Sequence, residues 1–354
     1  MAATAPAPTE AQERSFPDYR RELRKVLPKH IFEPDLKSLW WFLPHAAILV
    51  ASLYALTAHF HYGYAWLVSI IIGHSFGCLG FLAHDICHGG SVKHRRLRNL
   101  LAGVGFSPFW IGPYLWARWH NSDHHNNTQI EGIDPDHLFT IEDYKHNPVL
   151  KALYRLSPLA RNLIIFSSFS YRMSQQTIRM VIAYLRSPKS TGRDKAVILF
   201  QLIAPAAFWI GLSLMLGSQV FWWGYFIPLL IANAMVISYI ATNHFLNPLA
   251  DERDVLATSL SVTLPKGLKW LDPWHQFFGA HVAHHLFPGL PPRHARMVEQ
   301  KLGELWPDRY HEMVITTALK KLWQTPWIYE DHTTLLDPVR EERHKTLGHG
   351  MPKN

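Results

Sequence analysis

Cysteine is nearly absent from this chain: among 354 residues only Cys78 and Cys87 occur. A disulfide framework is therefore not expected, and a metal site built on thiolates has too few sulfurs. Charge is missing in long blocks. Residues 38–84 contain no Asp, Glu, Lys or Arg, and neither do residues 196–250. A membrane helix needs about 20 apolar residues, so each block is long enough for two. Each also breaks once near its middle, at His61-Tyr62-Gly63 and at Gly217-Ser218-Gln219. The pattern predicts an all-α integral membrane protein with four transmembrane helices in two hairpins, over about 39–60, 64–84, 196–216 and 220–241. A signal peptide is not expected either, because residues 1–10 lack a basic start and the first apolar stretch begins at Leu39.

What remains is distributed one-sidedly. The formal charge is +8 with histidines neutral, and neither hairpin turn carries any of it. Lys and Arg are retained on the cytoplasmic side, which places both termini and the segment between the hairpins there. Aromatic residues fit the same frame, with Trp40 and Trp41 where the first span begins and Trp222 and Trp223 at the second turn. Residues 1–15 read as a disordered tail, 16–330 as one domain, and 331–354 as a polar C-terminal tail. Residues 16–27 and 162–185 have amphipathic helical spacing and are expected on the membrane surface, with a helix packed on the cytoplasmic cap the alternative for 162–185. The Gly/Pro-broken stretch 100–115 reads as interfacial or re-entrant.

Against this background, eight histidines fall into three clusters: His84 and His88; His120, His124 and His125; and His281, His284 and His285. Spacings of three or four residues bring imidazoles onto one helix face. Neutral imidazole is a ligand for iron, copper, nickel and zinc. Eight such groups exceed what one ion can hold, so the count argues for two metals, held in a cytoplasmic helical cap beside the membrane. Gly73, Gly77 and Gly80 share the face of His84 and His88, which lets a helix or a slender apolar ligand come close. His74 reads as an interior residue with a partner, His94 as a surface group and Cys87 as packing. Asp85 and Asp123 are candidates to orient ligand imidazoles as outer acceptors; for Asp123, surface solvation accounts equally well.

The clusters, as HxxxH, HxxxHH and HxxHH, resemble the histidine boxes of membrane-bound fatty acid desaturases. His-His-Asn-Asn-Thr at 124–128 and His-Val-Ala-His-His-Leu-Phe-Pro at 281–288 are similar to the methyl-end (Δ12 and ω3) acyl-lipid type. Front-end desaturases usually have glutamine in place of the first histidine of the last box, whereas here it is His281. The resemblance implies two iron ions, O2 as co-substrate, a fatty acyl substrate and an external electron donor of the ferredoxin or cytochrome b5 type, since no His-Pro-Gly-Gly motif of a fused carrier occurs. It also implies a ninth ligand near the end of the fourth span, for which His244 stands in the right place. Some acyl-CoA members carry an asparagine four residues earlier to hold a water; here that position is Ile240, with Asn243 and Asn247 the nearest substitutes. The basic face suits an acidic electron carrier or anionic lipids, and no nucleic-acid partner is expected. Hydroxylases and ketolases of lipids or carotenoids share such boxes and form the alternative. A metal transporter is disfavoured, because its ligands would line a path at bilayer depth.

Overall fold

A computed structural model describes residues 16–352. The tail expected over 1–15 lies outside the described residues. Four helices are long and apolar enough to cross a membrane: Leu36–Ala58, Tyr62–His88, Gly192–Leu216 and Val220–His244. They are taken below as the first to fourth spans, and each lies within a few residues of its expected place. The second and fourth are the inner pair. Of the second span's apolar window 67% is buried and of the fourth's 44%, against 11% and 17% for the first and third. Glycine explains how closely the inner pair approach. A Cβ on Gly73 would stand 2.7 Å from Ile231 Cβ and 2.9 Å from the Pro228 carbonyl, and one on Gly77 would stand 2.8 Å from Met235 Sδ. Two of the three stripe glycines therefore serve helix packing. Gly80 instead meets Phe109, at 3.1 Å, beside a cavity described below.

Both inner helices end in histidine. His88 closes the second span, where Gly89 adopts a left-handed φ of 83° as its cap. His244 closes the fourth span. This shared terminus is what brings the histidine clusters together. Between the second and third spans the chain forms a helix over Arg95–Phe106, breaks at Trp110 with φ 56°, and resumes at Pro113. The break is covered by protein, as irregular backbone at membrane depth must be: Tyr225 donates to the Pro108 carbonyl at 2.9 Å, and Gln201 accepts from the Tyr114 amide at 3.0 Å.

The second amphipathic stretch is a helix over Pro158–Arg186, capped by the Ser157 hydroxyl. Asn162, Ile165, Phe169, Met173, Thr177 and Val181 form its buried stripe, while Leu159, Leu163, Ile164, Ile178 and Ile182 are exposed. The first amphipathic stretch departs from expectation. Its helix, Phe16–Val26, buries Tyr19 and Leu23 with Phe287, Leu302 and Trp306 in a small core of its own. Its apolar face therefore covers the segment around the third cluster, and Tyr19 packs edge-on to Trp306 at 5.2 Å.

The chain is mostly helical, yet not wholly so. Six short strands occur among the described residues: β1 Phe139–Thr140, β2 Ser261–Thr263, β3 Glu312–Val314, β4 Ile328–Asp331, β5 Thr334–Asp337 and β6 Glu342–Lys345. Strands β2 and β3 pair in parallel, and the others form a sheet in the order β1-β4-β5-β6. The stretch from 331, expected as a polar tail, is thus folded, with Leu335 and Leu347 buried. Asp337 anchors it through a buried ion pair to Arg161 at the start of the Pro158–Arg186 helix. Removing one partner strands the other charge, at a cost of about 3–5 kcal/mol. Arg161→Met is expected to lower the thermal midpoint of the detergent-solubilised protein clearly, whereas the same change at exposed Arg343 is expected to shift it little.

Candidate metal centre

Three local structures aim the imidazoles. His84 and His88, one turn apart at the end of the second span, have ring centroids 4.8 Å apart. The second cluster lies on a π-helical segment, Ala117–His124, where the His125 amide donates to the His120 carbonyl. The wider π turn seats both later rings over His120, at 5.2 Å for His124 and 4.6 Å for His125. A short helix, His281–Leu286, carries the third cluster, and the Ser261 hydroxyl accepts from the Val282 amide at 3.0 Å to fix its start.

All nine histidines converge, in two sets. His84, His88, His120, His125 and His284 form one; His124, His244, His281 and His285 form the other. The second and third boxes are each split between the sets, so each set draws on distant parts of the chain. In the first, successive Nε2 atoms stand 3.0 Å apart from His84 to His120, 3.0 Å from His120 to His125 and 3.1 Å from His125 to His284. In the second, His281 Nε2 lies 2.7 Å from His244 Nε2 and 3.0 Å from His285 Nε2. Nitrogens bound to one ion at about 2.1 Å and at right angles are about 3.0 Å apart, so these spacings match the edge of a coordination polyhedron. Moreover, His88 Nε2 is buried without a hydrogen-bond partner among the described residues, with its ring 4.7 Å from that of His284. The donor set therefore fits two metal ions.

Electrostatics agree. Burial first, then neighbouring imidazoles, hold His120, His125, His281 and His285 well below the ordinary histidine value, and His284 is lowered to about 3. Neutral rings keep their lone pairs for a metal. His124 is the exception. Burial lowers its pKa too, but Asp134 and, behind it, Asp136 prevail and raise it to about 8. Asp134 Oδ1 accepts from His124 Nδ1 at 2.9 Å, and its Oδ2 accepts from the Gln129 amide at 2.7 Å. Such a carboxylate fixes the tautomer and leaves Nε2 facing inward. His285 Nδ1 similarly meets the Thr128 hydroxyl at 3.3 Å, and His244 Nδ1 meets the Thr258 carbonyl at 3.4 Å.

The outer residues expected from sequence stand elsewhere. Asp85 accepts from Ser91 at 2.6 Å, and Asp123 accepts from Tyr184 at 3.3 Å. Asn247 donates to the carbonyls of Asn243 and His244, closing the fourth helix. The Asn243 side chain is buried and makes no hydrogen bond among the described residues. Sequence reasoning misses Asp134 and Asp136, because they follow His124 by ten and twelve residues and reach it only through the left-handed Gln129, φ 61°. His74 has its partner, His275, at 3.0 Å between Nε2 atoms, with Tyr239 on His275 Nδ1 at 2.9 Å; nothing in the sequence pairs residues so far apart.

A family model described as fatty acid desaturase matches residues 62–317, which include all nine histidines. The chain belongs to the fatty acid desaturase family. It is accordingly an oxidoreductase of lipid metabolism. This desaturase is 29% identical over 325 residues to an sn-1 acyl-lipid omega-3 desaturase (ferredoxin) of Synechocystis, covering 86% of each chain. It is 24% identical over 330 residues to an endoplasmic-reticulum omega-6 fatty acid desaturase of Glycine max, covering 86% of this chain and 83% of that one. An omega-3 fatty acid desaturase of Caenorhabditis elegans is 25% identical over 292 residues, or 79% and 71% of the two chains.

Proposed function

We propose that the desaturase holds two irons, one on the set of five histidines and one on the set of four, and inserts a double bond into the acyl chain of a membrane lipid. O2 and two electrons from an external carrier complete the reaction. The observation that carries this reading is the cavity the histidines face. It has a volume of about 420 Å³, and His84, His120, His124, His244 and His281 line it partway along. One end is apolar, with Phe81, Phe109, Ile111, Val236 and Ile237 among its walls. Bound iron would supply the O2 activation that removal of hydrogen from an unactivated methylene requires.

The chain's own residues do the rest. Apolar walls at that end hold a methylene chain and exclude water. Phe278 packs against His84 at 5.0 Å and stacks on Phe81 at 4.3 Å between centroids, so it backs the ligand and shapes the wall together. Asp134 keeps the proton on His124 Nδ1 and thereby the orientation of that ring. The depth of the apolar end sets which methylenes lie beside the histidines. Gly80 leaves part of that space open, so Gly80→Leu is expected to cut conversion of the native chain length severalfold or move the double bond, while metal content stays at the wild-type value; double-bond-resolved mass spectrometry and metal analysis of the same sample check this.

The spans are read as two hairpins with both termini and the metal centre cytoplasmic, as the loop charges require. The exposed run Lys93 to Arg96 begins five residues after His88 and suits docking of an acidic carrier; the Synechocystis relative's name specifies ferredoxin. Expression in a host with a simple lipid profile, followed by localisation of new double bonds, tests the reaction. New unsaturation that vanishes in His124→Ala supports it. Hydroxylated or keto lipids as the sole products contradict it.

A further inference from the structure

The cavity does not end at the histidines. Its lining also holds polar groups, Asp136 and His137 together with Arg172, Gln175, Gln176 and Arg179. The four latter residues come from one helix, Pro158–Arg186. Arg172, Gln175, Gln176 and Arg179 recur at helical spacing, so they share a face, with the two arginines two turns apart, about 10 Å along the axis. This is an unusual thing to place in the wall of such a cavity, and the reaction derived above has no use for it.

The charges here are unevenly committed. Each carboxylate in the lining has protein partners: Asp134 holds His124 and the Gln129 amide, Asp143 Oδ2 accepts from the Thr140 amide at 2.9 Å within a capping box, and Asp136 lies 3.6 Å from His124 Nδ1. Neither arginine forms an ion pair within 4.0 Å or a hydrogen bond among the described residues. Asp136 attracts Arg172 only from a distance, and burial and then Arg179 lower the pKa of Arg172 below its ordinary value. Arg172 is half-buried and Arg179 exposed. Two guanidiniums with no carboxylate in ion-pair reach, in the wall of the cavity that the histidines line, make a seat for an anion. Guanidinium and phosphate match in geometry as well as charge.

The exposed flank of the same helix indicates where the anion comes from. Leu163, Ile164, Ile178 and Ile182 are exposed along it, the three isoleucines on the flank beside the arginines, as on a helix lying in the membrane interface. We propose that this cavity seats the phosphate of a membrane phospholipid through Arg172 and Arg179, so that the acyl chain reaches the histidines while still esterified to its headgroup lipid. This rests on the reading of the cavity as an acyl-chain site.

Equilibrium binding to the metal-loaded full-length protein in neutral detergent tests it without turnover. The probes are radiolabelled phosphatidylglycerol and diacylglycerol with identical chains. Wild type is expected to prefer the phospholipid by at least about tenfold, the effect of charged hydrogen bonds. R172Q/R179Q is expected to lose that preference with its metal content unchanged. R172K/R179K should keep part of it, and it replaces the glutamine pair as the informative variant should that pair fail to load metal. Equal binding of both lipids by wild type overturns the proposal, as does full preference in R172Q/R179Q. Displacement of the phospholipid by palmitoyl-CoA at a lower concentration also overturns it, since the phosphate would then belong to a soluble thioester carrier. A phospholipid preference alongside purely hydroxylated products leaves the seat standing and removes desaturation; unsaturated products without the preference do the reverse.

Discussion

His125→Ala is expected to yield no detectable unsaturated product, whereas His94→Ala is expected to retain wild-type conversion. The difference follows from position. The Nε2 of His125 stands 3.0 Å from that of His120 and 3.1 Å from that of His284, in the middle of the set of five. Its ring also stacks on His285, of the set of four, at 4.3 Å between centroids. Removing it opens one set and takes away the surface against which a member of the other is oriented. His94, exposed, only caps a helix, with Nδ1 accepting from the Leu97 amide at 3.4 Å. Fatty acid profiles of a common host expressing each variant at matched protein levels give the comparison. Residual unsaturation in His125→Ala near the wild-type amount would mean that the set of five is not required.

Asp134→Asn is expected to cost about 10–100-fold in metal affinity, with the lost activity returning in part with excess iron. The carboxylate accepts from His124 and from the Gln129 amide together. An amide at the same place has one acceptor atom, so one of these donors is left facing an NH2. If His124 loses its acceptor, its ring is freed and its tautomer no longer imposed. If the Gln129 amide loses its acceptor, a buried N–H goes unpaired at about 1–3 kcal/mol. Iron titration of the purified variant separates an orienting role from a ligating one: Asp134→Asn is expected to recover activity at high iron, and His124→Ala to stay inactive at every iron concentration. Equal behaviour of the two variants would refute the division of labour between the pair.

The spans and the three histidine clusters were legible because both are written locally. An uncharged block and a three- or four-residue histidine spacing need no knowledge of the rest of the chain. His244 is a single residue with no local partner, and its family position supplied what spacing could not; in the fold its Nε2 stands 2.7 Å from that of His281. The orienting acids were not legible, since Asp134 looks like any loop aspartate until the turn at Gln129 folds it under His124. Asp85 and Asp123 were attractive for their adjacency to histidines, but on a helix the next residue points away from its neighbour's face, and both bond elsewhere. The strands after residue 331 escaped notice because four-residue strands in a charged stretch carry too little alternation to register. The Phe16–Val26 helix had the right periodicity and the wrong partner: an apolar stripe says that a face is covered, not whether lipid or protein covers it.

The division of nine histidines into sets of five and four is the claim on which the rest depends. Metal per chain, measured by mass spectrometry of the active purified protein against quantitative amino-acid analysis, tests it most directly. Two irons per wild-type chain and no more than one in His281→Ala are the predicted values. One iron per wild-type chain, or zinc in place of iron in active protein, would contradict the account.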